Sequence, residues 1–220
     1  MTENHLSLPA FPRMDIGRGE RLYDDEPHTL AQLFINAERK HQLPKSLNYK
    51  RDGTWAAISS SELVVRAGNI ALGLYSIGLR KVDKAALLSA NSPEWTLADA
   101  GCQFCGVIDV PIYTTLAASS VNYILNDSEP RVFFLENKEM FDRVEDFLDE
   151  CKSLETLVFF DIKGIDHPKA ISLDDLELRG TELRNSQPDL LGKLIDSIRP
   201  TEIATLIYTS GTTGEPKGVM

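Results

Sequence analysis

The sequence is short of thiols, imidazoles and positive charge. Its 220 residues include three cysteines, Cys102, Cys105 and Cys151, and four histidines. Three thiols are too few for a disulfide framework in a chain this long, which points to a reducing compartment. His5, His28, His41 and His167 are scattered, so no Ser/His/Asp constellation is expected and each is read as a surface or capping residue. Lys and Arg number 23 against 33 Asp and Glu, a formal net charge of -10. A chain this acidic repels nucleic acid and anionic lipid, and no nucleic-acid partner is expected. The same charge says little against a nucleotide, whose phosphates need only a locally positive pocket. No run approaches about 18 consecutive apolar residues, so no transmembrane helix is expected. The start, MTENHLSLPAFPRMD, lacks the apolar centre of a signal peptide. These absences together predict a cytoplasmic protein.

What remains is an ordinary globular composition, 42% hydrophobic and 25% charged. Residues 1–27 are polar and broken by prolines, and are read as an irregular N-terminal segment. Residues 28–42 place Leu30, Leu33, Phe34 and Ala37 at helical spacing. Two β-like runs flank Asp52-Gly53, a hairpin signal. Ser59 and Glu62 have capping-box spacing, and behind them Leu63, Val64, Ala67, Ile70, Ala71, Leu74 and Ile77 form one apolar stripe that Gly78 can stop.

An alternation follows. KAALLSA, VIDVPIY, RVFFLE and TLVFFD read as buried strands. Between them lie helices opening at Ser92-Pro93, at Ala117 and at Lys138, the last running to Lys152. Apolar strands separated by amphipathic helices predict βαβ units: an α/β fold with a mainly parallel sheet and helices on both faces. Residues 162–200 are less regular, with helices expected near 173–178 and 190–198. IATLIY, residues 203–208, reads as one more buried strand.

The sequence then reads TSGTTGEPKGVM. Gly211, Gly214 and Gly218 let the backbone curl so that several N–H groups converge, a nest suited to an anion. Thr209, Ser210, Thr212 and Thr213 add hydroxyls, Lys217 adds a full charge, and Pro216 stiffens the exit. The order is not that of a Walker A loop, because Pro precedes the Lys and Gly follows it.

YTSGTTGEPKGV resembles the signature of the adenylate-forming superfamily, which includes acyl-CoA synthetases, firefly luciferases and the adenylation domains of peptide synthetases. Upstream, NSPEWTLADAGCQFCGVIDVPIYTTLAASSVNYILNDSEPRVFFLEN and YKRDGTWAAISSSEL resemble corresponding stretches of long-chain fatty-acid CoA synthetases. The likeness runs from about residue 29 to 220. It implies that residues 28–220 are the N-terminal part of an AMP-binding domain, and that a carboxylate attacks the α-phosphate of MgATP, pyrophosphate leaves, and coenzyme A thiol displaces AMP. It assigns Thr209, Ser210, Gly211, Thr212, Thr213, Gly214 and Lys217 to the ATP phosphates. In the family the acyl pocket, the adenine loop with its acidic magnesium ligand, the ribose-binding Asp and the domain with the catalytic Lys all follow this signature. The chain is therefore expected to be an N-terminal piece of a ligase, with no catalytic residue or metal ligand of its own and no adenylation activity alone. Fatty acid, ATP, Mg2+ and coenzyme A are the expected partners of the whole enzyme, for which peripheral membrane contact is allowed. The open edge of strand 203–208 is a route to self-association. Other adenylate-forming ligases, for short, medium or aryl acids, share these features, and a short non-catalytic nucleotide-binding or regulatory protein is the alternative of a different kind.

Other features carry less. Cys102 and Cys105 form a C-x-x-C, read as two small apolar residues near the end of a buried helix. GRGERL at Gly17 is read as a loop. Glu139, Asp142, Glu145, Asp146 and Asp149 form a solvated acidic face. Trp95 and Tyr113 are expected in the core.

Overall fold

The computed structural model describes residues 26–210 and 216–220. Most of the N-terminal segment, with His5 and Gly17, lies outside them. Helix α1, Leu30–His41, starts at Thr29, whose hydroxyl accepts from the Gln32 N–H. Strands β1, Leu47–Arg51, and β2, Thr54–Ile58, form the expected antiparallel hairpin. Its turn residues Asp52 and Gly53 have φ of 51° and 77°. Two positive φ values make a type I′ turn, whose twist matches the flanking strands and which Asp-Gly favours. Helix α2, Ser60–Ser76, begins where Ser59 accepts from the Glu62 N–H and buries Leu63, Ala67, Ile70, Ala71 and Leu74.

The alternation then unfolds as β3 (Lys84–Leu88), α3 (Pro93–Cys105), β4 (Ile108–Ile112), α4 (Ala118–Ser128), β5 (Val132–Leu135), α5 (Lys138–Asp142), β6 (Thr156–Phe159), β7 (Ala170–Ser172), α6 (Leu173–Ser186) and α7 (Leu190–Ser197). Strands β3 to β7 make one parallel sheet in the order β4-β3-β5-β6-β7. Period-two alternation divides their side chains. Ala85, Leu87, Val132, Phe134 and Val158 join α2, α3 and α6 in one core, while Ala86, Leu88, Phe133, Leu135, Leu157 and Phe159 join α4 and α5 in another. Covered on both faces, the strands can be apolar throughout, which is why they appear as unbroken hydrophobic runs.

Four expectations need correction. The helix read over residues 138–152 stops at Asp142, and a 3-10 turn spans Glu145–Glu150. As one α-helix it would stack Asp142 on Asp146, Glu145 on Asp149 and Asp146 on Glu150, like-charge pairs at i,i+4 that oppose it. The helix read near 173–178 extends to Ser186, opened by a full capping box of Ser172 and Asp175, and is preceded by β7, a strand too short to show alternation. Of the strand read over 203–208, only Ile207 and Tyr208 fall in a strand; residues 203–206 are joined to the sheet by one parallel bridge, Thr205 to Asp109. Tyr113, expected in the core, is 66% exposed, because it follows the last residue of β4; Trp95 does pack against the core.

Candidate functional site

After the bridge the chain forms β8, Ile207–Ser210, which pairs antiparallel with β9, Pro216–Val219. The glycine-rich loop therefore joins the two strands of a hairpin, where the sequence had suggested only a strand before it. Gly211, Thr212, Thr213 and Gly214 lie outside the described residues. Ser210 is opposite Pro216, and Thr209 opposite Lys217. A directly opposed pair projects its side chains from the same face of a hairpin, and Thr209 and Lys217 are both exposed. The hairpin thus brings a hydroxyl and an ammonium together beside the loop.

Alternation turns the next pair to the other face. Tyr208 is 7% exposed and packs with the α4 side of the sheet. Its partner is Gly218, where a Cβ would stand 3.2 Å from the tyrosine Cζ, so glycine lets the ring lie across β9. The phenol donates to Asp127 Oδ2 at 2.6 Å, near the C-terminal end of α4. Burial, reinforced by the Asp127 carboxylate, raises the phenol pKa, so the donor proton stays in place.

The root of the hairpin is held at β4. Asp109 N–H donates to the Ala204 carbonyl (3.3 Å), and Leu206 N–H donates to the Asp109 carbonyl (2.9 Å). The parallel register carries Ile207–Ser210 toward the carboxyl end of β4, the edge at which open α/β sheets take ligands. The Asp109 side chain is 4% exposed and accepts from Gln103 Nε2 (2.9 Å) and Thr205 Oγ1 (3.3 Å). Gln103 Nε2 also faces Asp99 Oδ1 at 3.3 Å and the Ala204 carbonyl at 3.2 Å. One amide nitrogen has two hydrogens for these three acceptors. Burial first, and the neighbouring Asp99 second, push the Asp109 carboxyl up to about 7. Asp109 was not among the site residues expected from the sequence. Its signal was a lone charge inside the apolar run VIDVPIY, since a charge buried there must neutralise or find partners.

The strand order places a topological switch between β3 and β5. There Glu136 accepts from the Ala90 N–H (2.7 Å) and the Ser89 hydroxyl (3.2 Å), tying the two strand ends together. A cleft of about 250 Å³ opens between α1, α3 and residues 198–204, and neither Thr209 nor Lys217 lines it. The candidate phosphate site is therefore the hairpin at the sheet edge.

Cys102 and Cys105 are 1% and 5% exposed. Burial raises both thiols, Cys105 to about 12. We expect neither to react with a disulfide reagent at pH 8 until the chain is unfolded in denaturant; prompt labelling of the native protein would contradict this burial. Among the described residues, no group of three or more His, Cys, Asp or Glu could hold a metal ion, and no helix is long and apolar enough to cross a membrane.

The chain is similar to known proteins over most of its length. Residues 35–220 match the model of the AMP-binding enzyme family. The chain is 32% identical over 195 residues to the long-chain-fatty-acid–CoA ligase ACSBG1 of Homo sapiens, covering 88% of this chain and 26% of that protein. It is 34% identical over 195 residues to the ligase FadD15 of Mycobacterium bovis, covering 88% of this chain and 31% of that one. The chain thus spans between a quarter and a third of the length of these relatives. Among solved structures, the anthranilate CoA ligase AuaEII in complex with anthranoyl-AMP superposes with a TM-score of 0.66 at 24% identity, over 89% of this chain and 35% of that one. The fatty acyl-adenylate ligase from L. pneumophila in complex with acyl adenylate and pyrophosphate gives 0.61 at 26% identity, over 89% and 30%. With a parallel α/β sheet, a glycine-rich hairpin at its edge and a family match over residues 35–220, the chain belongs to the AMP-binding enzymes, the adenylate-forming ligases.

Proposed function

We propose that this chain is the phosphate-binding part of an ATP-dependent acid–thiol ligase that activates a long-chain fatty acid to acyl-AMP and then to acyl-CoA in the cytoplasm. The observation that carries the reading is the opposed pair Thr209 and Lys217, exposed on one face of the hairpin that bears SGTTGE. In a chain of net charge -10, a cation set beside a run of glycine, serine and threonine has a plain use: it neutralises the nucleotide phosphates and the departing pyrophosphate. Ser210, Gly211, Thr212, Thr213 and Gly214 complete the contact. Magnesium enters with the nucleotide as its substrate partner. The similarity to long-chain ligases supports the choice of acid and of coenzyme A as the acceptor.

The test is pyrophosphate release with ATP, magnesium, coenzyme A and acids of graded length, aryl acids included. It is run on these 220 residues and on the gene product extended downstream. Release is expected from the extended protein alone, greatest with a long-chain acid. Activity in the 220 residues would overturn the view that they form only part of the site. In the extended protein, Lys217→Ala is expected to weaken ATP binding about 10- to 100-fold, the worth of a charge-assisted bond. An unchanged ATP affinity would remove Lys217 from the site.

A further inference from the structure

We propose that Asp127 is a positioning residue for the hairpin strands that carry Thr209 and Lys217, acting through Tyr208. The inference rests on the phosphate reading of the loop and names what holds those strands in place. A two-stranded hairpin is marginally stable by itself, so its placement must come from what it touches. Here β8 lies against β4 and β9 against α4. Ile207 and Val219 are 41% and 52% exposed, Thr209 and Lys217 face solvent, and Tyr208 is the buried side chain among those described in the hairpin. The backbone bonds between residues 204–206 and Asp109 fix where the chain arrives at the sheet. The bond from the Tyr208 phenol to Asp127 supplies a second fixed point. Gly218 makes it reachable, because any larger residue would meet the ring.

Asp127 sits where helix physics disfavours it. It is the penultimate residue of α4, whose last turn holds no basic residue, so its charge faces the negative end of the helix dipole. A local rule broken this way marks a residue kept for a purpose beyond its helix. The purpose visible here is the short bond to Tyr208. Through it, α4 sets the angle at which Thr209 and Lys217 flank the loop.

The experiment uses the 220-residue chain and two readouts. One is hydrogen exchange of the backbone amides of residues 207–210 and 217–219, with β3 and β5 as internal reference. The other is calorimetric titration with inorganic tripolyphosphate. Tyr208→Phe keeps the ring and drops the hydroxyl; Asp127→Ala removes the acceptor. Each is expected to speed hairpin exchange about 5- to 10-fold, leave the reference strands unchanged, and weaken tripolyphosphate binding by about the same factor. Asp127→Asn, whose amide oxygen accepts the same bond without charge, is expected to recover most of both losses. Unchanged hairpin exchange in the Phe and Ala variants overturns the anchor, as does faster exchange with undiminished tripolyphosphate affinity. If the wild-type chain binds no tripolyphosphate, the phosphate reading of the loop fails in this chain, and the exchange arm decides whether Asp127 positions the hairpin.

Discussion

Alanine at position 180 is expected to destabilise the protein by about 3 kcal/mol or more, although it adds one methyl group to a helix. The cause is the contact of α6 with α2. A Cβ on Gly180 would stand 1.8 Å from the Asn69 carbonyl oxygen and 2.9 Å from the Gly73 nitrogen, both backbone atoms. A Cβ on Gly73 would stand 2.2 Å from the Leu176 carbonyl oxygen. Each glycine is thus where the other helix's backbone passes. No rotamer relieves such an overlap, so the helices must part. Parting would loosen the paired bonds from Arg66 to Glu177 (Nη2 to Oε1 2.7 Å, Nε to Oε2 3.1 Å) and the Arg184 bond to the Val65 carbonyl. Gly192→Ala is the control. It lies within α7 with nothing within 4 Å of the added carbon, and is expected to stabilise by roughly 0.5–1 kcal/mol through helix propensity. Urea unfolding of both variants checks the pair. A loss below about 1 kcal/mol at position 180 would mean the two helices approach less closely than described.

The second large effect is a dependence on pH. Asp109 titrates near 7 in the folded chain and near 3.9 when unfolded. The folded state therefore holds its proton more tightly. The stabilisation is fully present below about pH 4 and is lost as pH rises toward 7, with a change on the order of 4 kcal/mol over about three units. Other carboxylates push stability the opposite way at acid pH, so the contribution is isolated by Asp109→Asn. The asparagine oxygen accepts from Gln103 as before, and its amide can donate to the Thr205 hydroxyl, with no charge to bury. The variant is expected to match the wild type at about pH 4 and to exceed it increasingly up to pH 8 in urea unfolding. Asp99, also raised by burial, faces the same Gln103 and contributes in the same direction. Equal stability of variant and wild type at pH 8 would show that Asp109 bears no buried charge there.

The α/β architecture was legible because its signals are local and strong. Runs such as RVFFLE can be apolar only if both faces are covered, and Ser59, Ser92 and Asp52-Gly53 mark element boundaries by side-chain chemistry that acts within three residues. The candidate phosphate loop was legible as a contiguous pattern. Its setting was not. That residues 216–219 return as a strand is decided by pairing across the loop, and PKGV carries little strand propensity of its own. Asp109 with Thr205, and Asp127 with Tyr208, meet across 96 and 81 residues. Spacing within the sequence says nothing about such pairs. Tyr113 was misplaced for a related reason: it ends an apolar run, but the strand stops one residue earlier.

The bridge between Asp109 and Thr205 also sets an order of events during synthesis. Strands β3, β5, β6 and β7 follow one another across the sheet, so each new strand finds its neighbour already made. β4 lies at the opposite edge, and its outer side waits for a partner 96 residues downstream. At about 5–20 residues per second, that side stays open for roughly 5–20 s. An apolar strand with an unpaired edge invites pairing with another nascent chain. The one charge in β4 is Asp109. While still solvated it is ionised at neutral pH, which opposes burial against a foreign strand. The residue that weakens the finished fold at neutral pH is the residue that guards this edge until Thr205 arrives.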